Sequence, residues 1–209
     1  MSKVGKKFPD ISVNAMNEMG DTFKINVLQE ALENKKKIIL FWYPKDFTFV
    51  CPTEIHAFQS KLSEFEKRNT IVVGASCDTP EVHFAWLSTP KDNGGIEGVT
   101  FPLIADSTRH LSETLDILDT EYVGTEENYS IEGDNVSYRA TFLIDEEGTI
   151  FHESVNVMPL GRNVDEYLRL IDGYAHNQKH GEVCPANWEQ GKEAMSESRE
   201  SVANYLTKH

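Results

Sequence analysis

The sequence predicts an α/β fold, a central sheet with helices on both faces, and three observations predict it. Lys37-Ile38-Ile39-Leu40-Phe41-Trp42-Tyr43 is a continuous apolar run, as expected of a strand buried on both sides. Directly downstream, Ile55, Phe58, Leu62 and Phe65 recur at helical spacing with Glu54, Lys61, Glu64 and Lys67 between them. Strand and helix patterns then alternate along the chain, the order that builds such a sheet.

The elements follow in sequence. Pro44 ends the first strand, and Pro52 suits the first turn of the next helix, where a missing N–H costs nothing. Thr70 to Cys77 reads as a second buried strand. Asp78-Thr79-Pro80-Glu81 starts a helix through Val82, Phe84, Ala85, Trp86 and Leu87. Lys91 to Gly95 is a loop, Phe101 to Asp106 a short strand, and Thr108 to Ile117 a helix. The acidic stretch Asp119 to Ser137 reads as a long surface loop. Tyr138–Ile144 and Thr149–Val155 form two strands around Asp145-Glu146-Glu147-Gly148, a hairpin signal. Asn163 to Ala175 is a helix. Residues 1–176 are expected to form one domain. Residues 177–209 form a polar C-terminal tail that needs another surface to pack on.

The formal net charge of −14 argues against nucleic acid or an anionic membrane as the main partner. No apolar run approaches the roughly 20 residues of a membrane span, and the N-terminus lacks the apolar stretch of a secretory signal. A cytoplasmic location is the expectation. In that setting the cysteines at 51, 77 and 184 are not a static disulfide scaffold, and no C-x-x-C pair supports zinc. No cofactor is expected.

Cys51 is the candidate nucleophile. It lies just past an apolar strand and at the start of a helix. A free thiol titrates near 8.5, and a helix N-terminus or a nearby guanidinium favours the thiolate. Arg139, at the head of an otherwise apolar strand, is the best candidate guanidinium. The Thr48 hydroxyl, on the same turn, suits contact with a peroxide oxygen, and Pro44 would shield the sulfur from water. Together these groups would polarise an O–O bond and stabilise the departing oxyanion. Cys184, in Gly181-Glu182-Val183-Cys184-Pro185, is a second thiol on the polar tail.

Pro44-x-x-x-Thr48-x-x-Cys51-Pro52-Thr53-Glu54 resembles the active-site loop of peroxiredoxins, and Phe47 to Glu54 is similar to the typical two-cysteine group, which includes the peroxidase subunit of bacterial alkyl hydroperoxide reductase. His83-Phe84-Ala85-Trp86, Arg139 to Asp145 and Gly181 to Trp188 agree. The resemblance implies a thioredoxin-like fold with a mixed central sheet and a thiol peroxidase acting on hydrogen peroxide and organic hydroperoxides. Cys51 would be the peroxidatic cysteine and become a sulfenic acid. Cys184 would be the resolving cysteine of a neighbouring subunit, giving an intersubunit disulfide that a thiol donor reduces, thioredoxin or a dedicated disulfide reductase. Arg139 and Arg162 map to the family's two arginines, with Glu54 orienting them. The resemblance also implies a homodimer, joined into a decameric ring.

Cys77 reads as an inert packed thiol, His83 and Trp86 as packing, and Glu54 with His56 as no metal site. Two motifs of overoxidation-prone members are incomplete: Gly94-Gly95-Ile96-Glu97 replaces G-G-L-G, and Tyr205-Leu206 replaces Y-F. Resistance of Cys51 to sulfinic acid formation is the expectation. A holdase chaperone and a dithiol–disulfide oxidoreductase on the same fold are the competing functions.

Overall fold

The computed structural model describes residues 1–125 and 128–208 and divides into two compact units, Met1–Arg162 and Asn163–His209. The first unit contains a seven-stranded mixed sheet. Its strands are β1 (Val13–Met16), β2 (Thr22–Ile25), β3 (Lys37–Trp42), β4 (Thr70–Ser76), β5 (Leu103–Ala105), β8 (Arg139–Ile144) and β9 (Ile150–Asn156). The order across the sheet is β2-β1-β5-β4-β3-β8-β9. The pairs β3–β4 and β4–β5 are parallel, and the flanking pairs are antiparallel.

The apolar run at Lys37 becomes an interior strand of this sheet, between β4 and β8, because it needs cover on both faces. Ile38 to Trp42 are fully buried. At about 1.5–3 kcal/mol for each large side chain, this strand anchors the unit. Around it run α1 (Val27–Asn34), α2 (Cys51–Ser60), α3 (Leu62–Lys67), α4 (Pro80–Leu87) and α5 (His110–Thr114). Helices α1, α3 and α4 lie against sheet strands. Asn26 caps α1, its side chain accepting from the Gln29 N–H.

Several elements differ from the sequence expectation. Strands β1 and β2 and helix α1 are additional to the sequence expectation: β1 and β2 are four residues each and are defined by their pairing, β1 with both β2 and β5, and α1 buries Val27 and Ala31. The helix expected at 108–117 is shorter, because Arg109 and Asp116 take left-handed backbone at either side of α5. The stretch 119–137 is not simply a loop. Strands β6 (Glu121–Thr125) and β7 (Asn128–Glu132) pair antiparallel within it. Tyr122 stacks edge-on against Tyr129 with ring centroids 5.7 Å apart. Both strands are exposed, and although Tyr129 and Ile131 alternate with polar residues in β7, Glu121-Tyr122-Val123-Gly124-Thr125 has no such period. Positions 126 and 127 lie outside the described residues.

The second unit is built on α6 (Val164–His180), capped by Asn163 at one end and by left-handed Gly181 at the other. Trp188 is buried, its indole N–H donating to Lys192 O at 3.1 Å and its ring 5.0 Å from His176. Val183 bridges Met195, and α7 (Arg199–Lys208) follows. No helix among the described residues is long and apolar enough to cross a membrane.

Candidate active site

The site forms where β3 runs out. Beyond Trp42 the chain crosses residues 43–50 and turns into α2, whose first residue is Cys51. Pro52 occupies the first turn, so α2 begins without needing that N–H. Cys51 is fully buried. Strand β8 pairs with β3 in the register Phe41↔Thr141, which carries Arg139 past the end of β3 to the sulfur.

Two donors meet the thiol. Arg139 Nη1 lies 3.3 Å from Cys51 Sγ, and Thr48 Oγ1 lies 3.0 Å from it. Thr48 Oγ1 also sits 2.8 Å from Lys45 O. One hydroxyl proton serves only one of them at a time. With a protonated thiol, S–H donates to Oγ1 and the hydroxyl donates to Lys45 O. With a thiolate, the hydroxyl turns and donates to sulfur.

Glu54 organises the guanidiniums. Its Oε2 accepts from Arg139 Nη1 at 2.6 Å and from Arg162 Nη2 at 2.9 Å. Its Oε1 accepts from Arg162 Nε at 2.8 Å and from the Arg162 backbone N–H at 3.0 Å. Backbone carbonyls take further donors. Arg139 Nε donates to Met158 O, and Arg162 Nη1 to Trp42 O and Ala140 O. The Arg162 guanidinium lies 5.2 Å from the Phe41 ring centroid.

All three side chains are buried, so their charges count. Two guanidiniums against one carboxylate leave one positive charge uncompensated. A thiolate at Cys51 would make the cluster neutral.

A cavity of about 480 Å³ opens beside Arg139, lined by Pro44, Thr48, Val50, Val136 and Met158 among others. Pro44 thus lines the cavity together with Thr48. Val136 and Asp134, also on the wall, come from the stretch read as a loop. The motif gave no hint of them, and only the fold brings them here. Met158 O is likewise invisible to side-chain reasoning.

In the second unit, Cys184 is half-buried and its Sγ lies 3.6 Å from Gly173 O. Burial pushes its thiol up, opposed by the Arg169 charge. Cys77 is buried, 3.7 Å from Ser112 Oγ, and burial raises it as well, as fits an inert thiol. His56 Nε2 contacts Gly95 O at 3.1 Å, and the described residues hold no metal-ligating cluster.

A family model described as "AhpC/TSA family" matches residues 4–153, and one described as "C-terminal domain of 1-Cys peroxiredoxin" matches residues 174–208. Cys184 falls inside the second match, despite that model's one-cysteine name. Alkyl hydroperoxide reductase C of Helicobacter pylori (strain ATCC 700392 / 26695) is 41% identical over 206 residues, spanning 99% of this chain and 96% of that one. Peroxiredoxin-2 of Macaca fascicularis is 38% identical over 208 residues, spanning 100% and 97%. The crystal structure of reduced 2-Cys peroxiredoxin from Plasmodium vivax matches with a TM-score of 0.88 at 39% identity, covering 99% of this chain and 100% of that one. Fold, buried thiol and paired guanidiniums together define an oxidoreductase of the thiol peroxidase class. The chain belongs to the AhpC/TSA family and is a peroxiredoxin. These likenesses favour neither the holdase nor the dithiol oxidoreductase reading.

Proposed function

We propose that the chain reduces hydrogen peroxide and organic hydroperoxides, with Cys51 as the peroxidatic and Cys184 as the resolving cysteine. The observation that carries this reading is the charge balance at Cys51, which the thiolate completes. In the first step the Cys51 thiolate attacks the terminal peroxide oxygen. An S–O bond forms, the O–O bond breaks, and an alkoxide or hydroxide leaves and takes up a proton. Thr48 and Arg139 donate to the two oxygens as charge moves between them. Pro44 keeps water from the sulfur, and Glu54 with Arg162 holds Arg139 in place.

In the second step the Cys184 thiol of a neighbouring subunit attacks the sulfenic acid. A disulfide forms and water leaves. A dithiol donor, thioredoxin or a dedicated disulfide reductase, then restores both thiols. The reading includes a homodimer assembled into a decameric ring and a cytoplasmic site of action, since the cycle needs a supply of reducing thiols. Cys184 suits its task because it waits as a protonated thiol, held by one long contact.

The test is peroxide-dependent turnover with candidate donors, alongside non-reducing gels of the wild type, Cys51→Ser and Cys184→Ser. Turnover lost in both variants, and a disulfide-linked dimer only in the oxidised wild type, is the expected result. A monomeric disulfide in the wild type would overturn the intersubunit pairing. Unaltered turnover in Cys51→Ser would overturn the whole assignment.

A further inference from the structure

One buried, titratable group next to the site has no part in the steps above. His83 on α4 and Asp46, in the loop that carries Pro44 and Thr48, are both fully enclosed. His83 Nδ1 lies 2.7 Å from Asp46 Oδ2, and His83 Nε2 lies 3.1 Å from Ile104 O. A carbonyl oxygen only accepts, so Nε2 carries a hydrogen. The short contact at Nδ1 then requires one more proton between ring and carboxyl group. It is on Nδ1 in an ion pair, or on Asp46 in a neutral pair. In either case the pair holds one shared proton. Without it, two lone pairs face each other across 2.7 Å.

This pair grips the active-site loop. Asp78 Oδ2 accepts from the Asp46 backbone N–H at 2.9 Å and from Ser76 Oγ at 2.9 Å. Phe47 takes left-handed backbone, with φ 54°, a strained state for an aromatic residue. Its ring rests 5.8 Å from Trp86, one turn beyond His83 on the same helix. Thr48 follows directly. Helix α4 therefore clamps two successive residues, and the next one points its hydroxyl at Cys51 Sγ.

We propose that Asp46 and His83 form a protonic latch that positions Thr48 for peroxide. When the shared proton leaves, the latch opens and Cys51 keeps its sulfur but loses the oriented hydroxyl. The inference rests on the peroxidase reading and adds two positioning residues to it.

The titratable and charged groups facing the latch are Tyr43, Asp78 and, further off, Cys51. Burial works against a charged His83, but the Asp46 hydrogen bond and charge outweigh it and the ring's proton is held above the ordinary imidazole range. Burial also raises Asp46, whose Oδ1 has no hydrogen-bond partner among the described residues. Both shifts have one sign. The latch is complete below the ordinary imidazole value of about 6.5 and is lost as pH rises through the raised folded-state value.

The test uses the full chain and two rates at each pH: oxidation of Cys51 by hydrogen peroxide and its alkylation by iodoacetamide. Both need the thiolate, and only the first needs an oriented Thr48, so their ratio cancels the thiolate fraction. In the wild type the ratio is expected to fall as pH rises. In Asp46→Asn the amide N–H donates to Nδ1 of a neutral ring, so the ratio stays near the wild-type low-pH value at every pH. In Asp46→Ala it drops roughly tenfold or more throughout. A flat wild-type ratio, or a fall in Asp46→Asn matching the wild type, overturns the latch. An Asp46→Ala ratio equal to the wild type does so too. If the wild-type Cys51 did not react with peroxide at all, the peroxidase reading would fall instead.

Discussion

The two thiols assigned to the cycle live in opposite surroundings. Cys51 is fully buried at the head of a helix, with a guanidinium at 3.3 Å, a hydroxyl at 3.0 Å and a carboxylate that fixes the guanidinium. Cys184 is half-buried, and its sulfur makes a long 3.6 Å hydrogen bond to a backbone carbonyl. The difference fits the tasks proposed for them. Attack on an O–O bond is accelerated by groups already in place, since reorganising them during the reaction would raise the barrier. Resolution needs a sulfur that can leave its resting place, and a weak hold makes local opening inexpensive.

Breaking the first environment gives the largest effects. Cys51→Ser is expected to abolish peroxide consumption, measured by peroxide loss in the presence of donor. Thr48→Val removes the hydroxyl but keeps the volume, and should lower the Cys51 oxidation rate by about 10²–10³. Thr48→Ser should restore most of it, and equal rates in both variants would show that the hydroxyl is idle.

Glu54→Gln sharpens the electrostatic half of the comparison. It leaves two buried guanidiniums without their carboxylate, which should cost about 3–5 kcal/mol and lower Tm by roughly 10 °C. An unchanged Tm in thermal melts would mean that the cluster is hydrated and its charge balance irrelevant.

The second environment predicts subtler changes. Cys184→Ser should give one rapid equivalent of peroxide reduction and then stop, because only Cys51 has reacted. Smallest of all is the expected rate of overoxidation. With Gly94-Gly95-Ile96-Glu97 and Tyr205-Leu206 in place of the two motifs of sensitive members, Cys51 should resist sulfinic acid formation. Mass spectrometry during turnover at excess peroxide checks this, and rapid dioxidation at modest peroxide would contradict it.

The legible part of this molecule was its buried part. Strand β3, strand β8 and helix α2 announce themselves because burial on one or both faces imposes an apolar pattern. Pro44, Thr48, Cys51 and Arg139 were legible as a group because each residue type has one clear use beside a thiolate. What escaped was set by tertiary pairing. The β6–β7 ribbon is exposed throughout, β1 and β2 are short, and Val136 reaches the cavity only through the fold. His83 was read as packing because it stands in an apolar helix. Its Asp46 partner lies far away in sequence, and nothing local couples them.

The most direct test of the division of labour is trapping of sulfenic acid after one equivalent of peroxide in Cys184→Ser, with a dimedone-type probe and peptide mass spectrometry. The adduct is expected on Cys51 alone, in near-stoichiometric yield. An adduct on Cys77, or none on Cys51, would contradict the account.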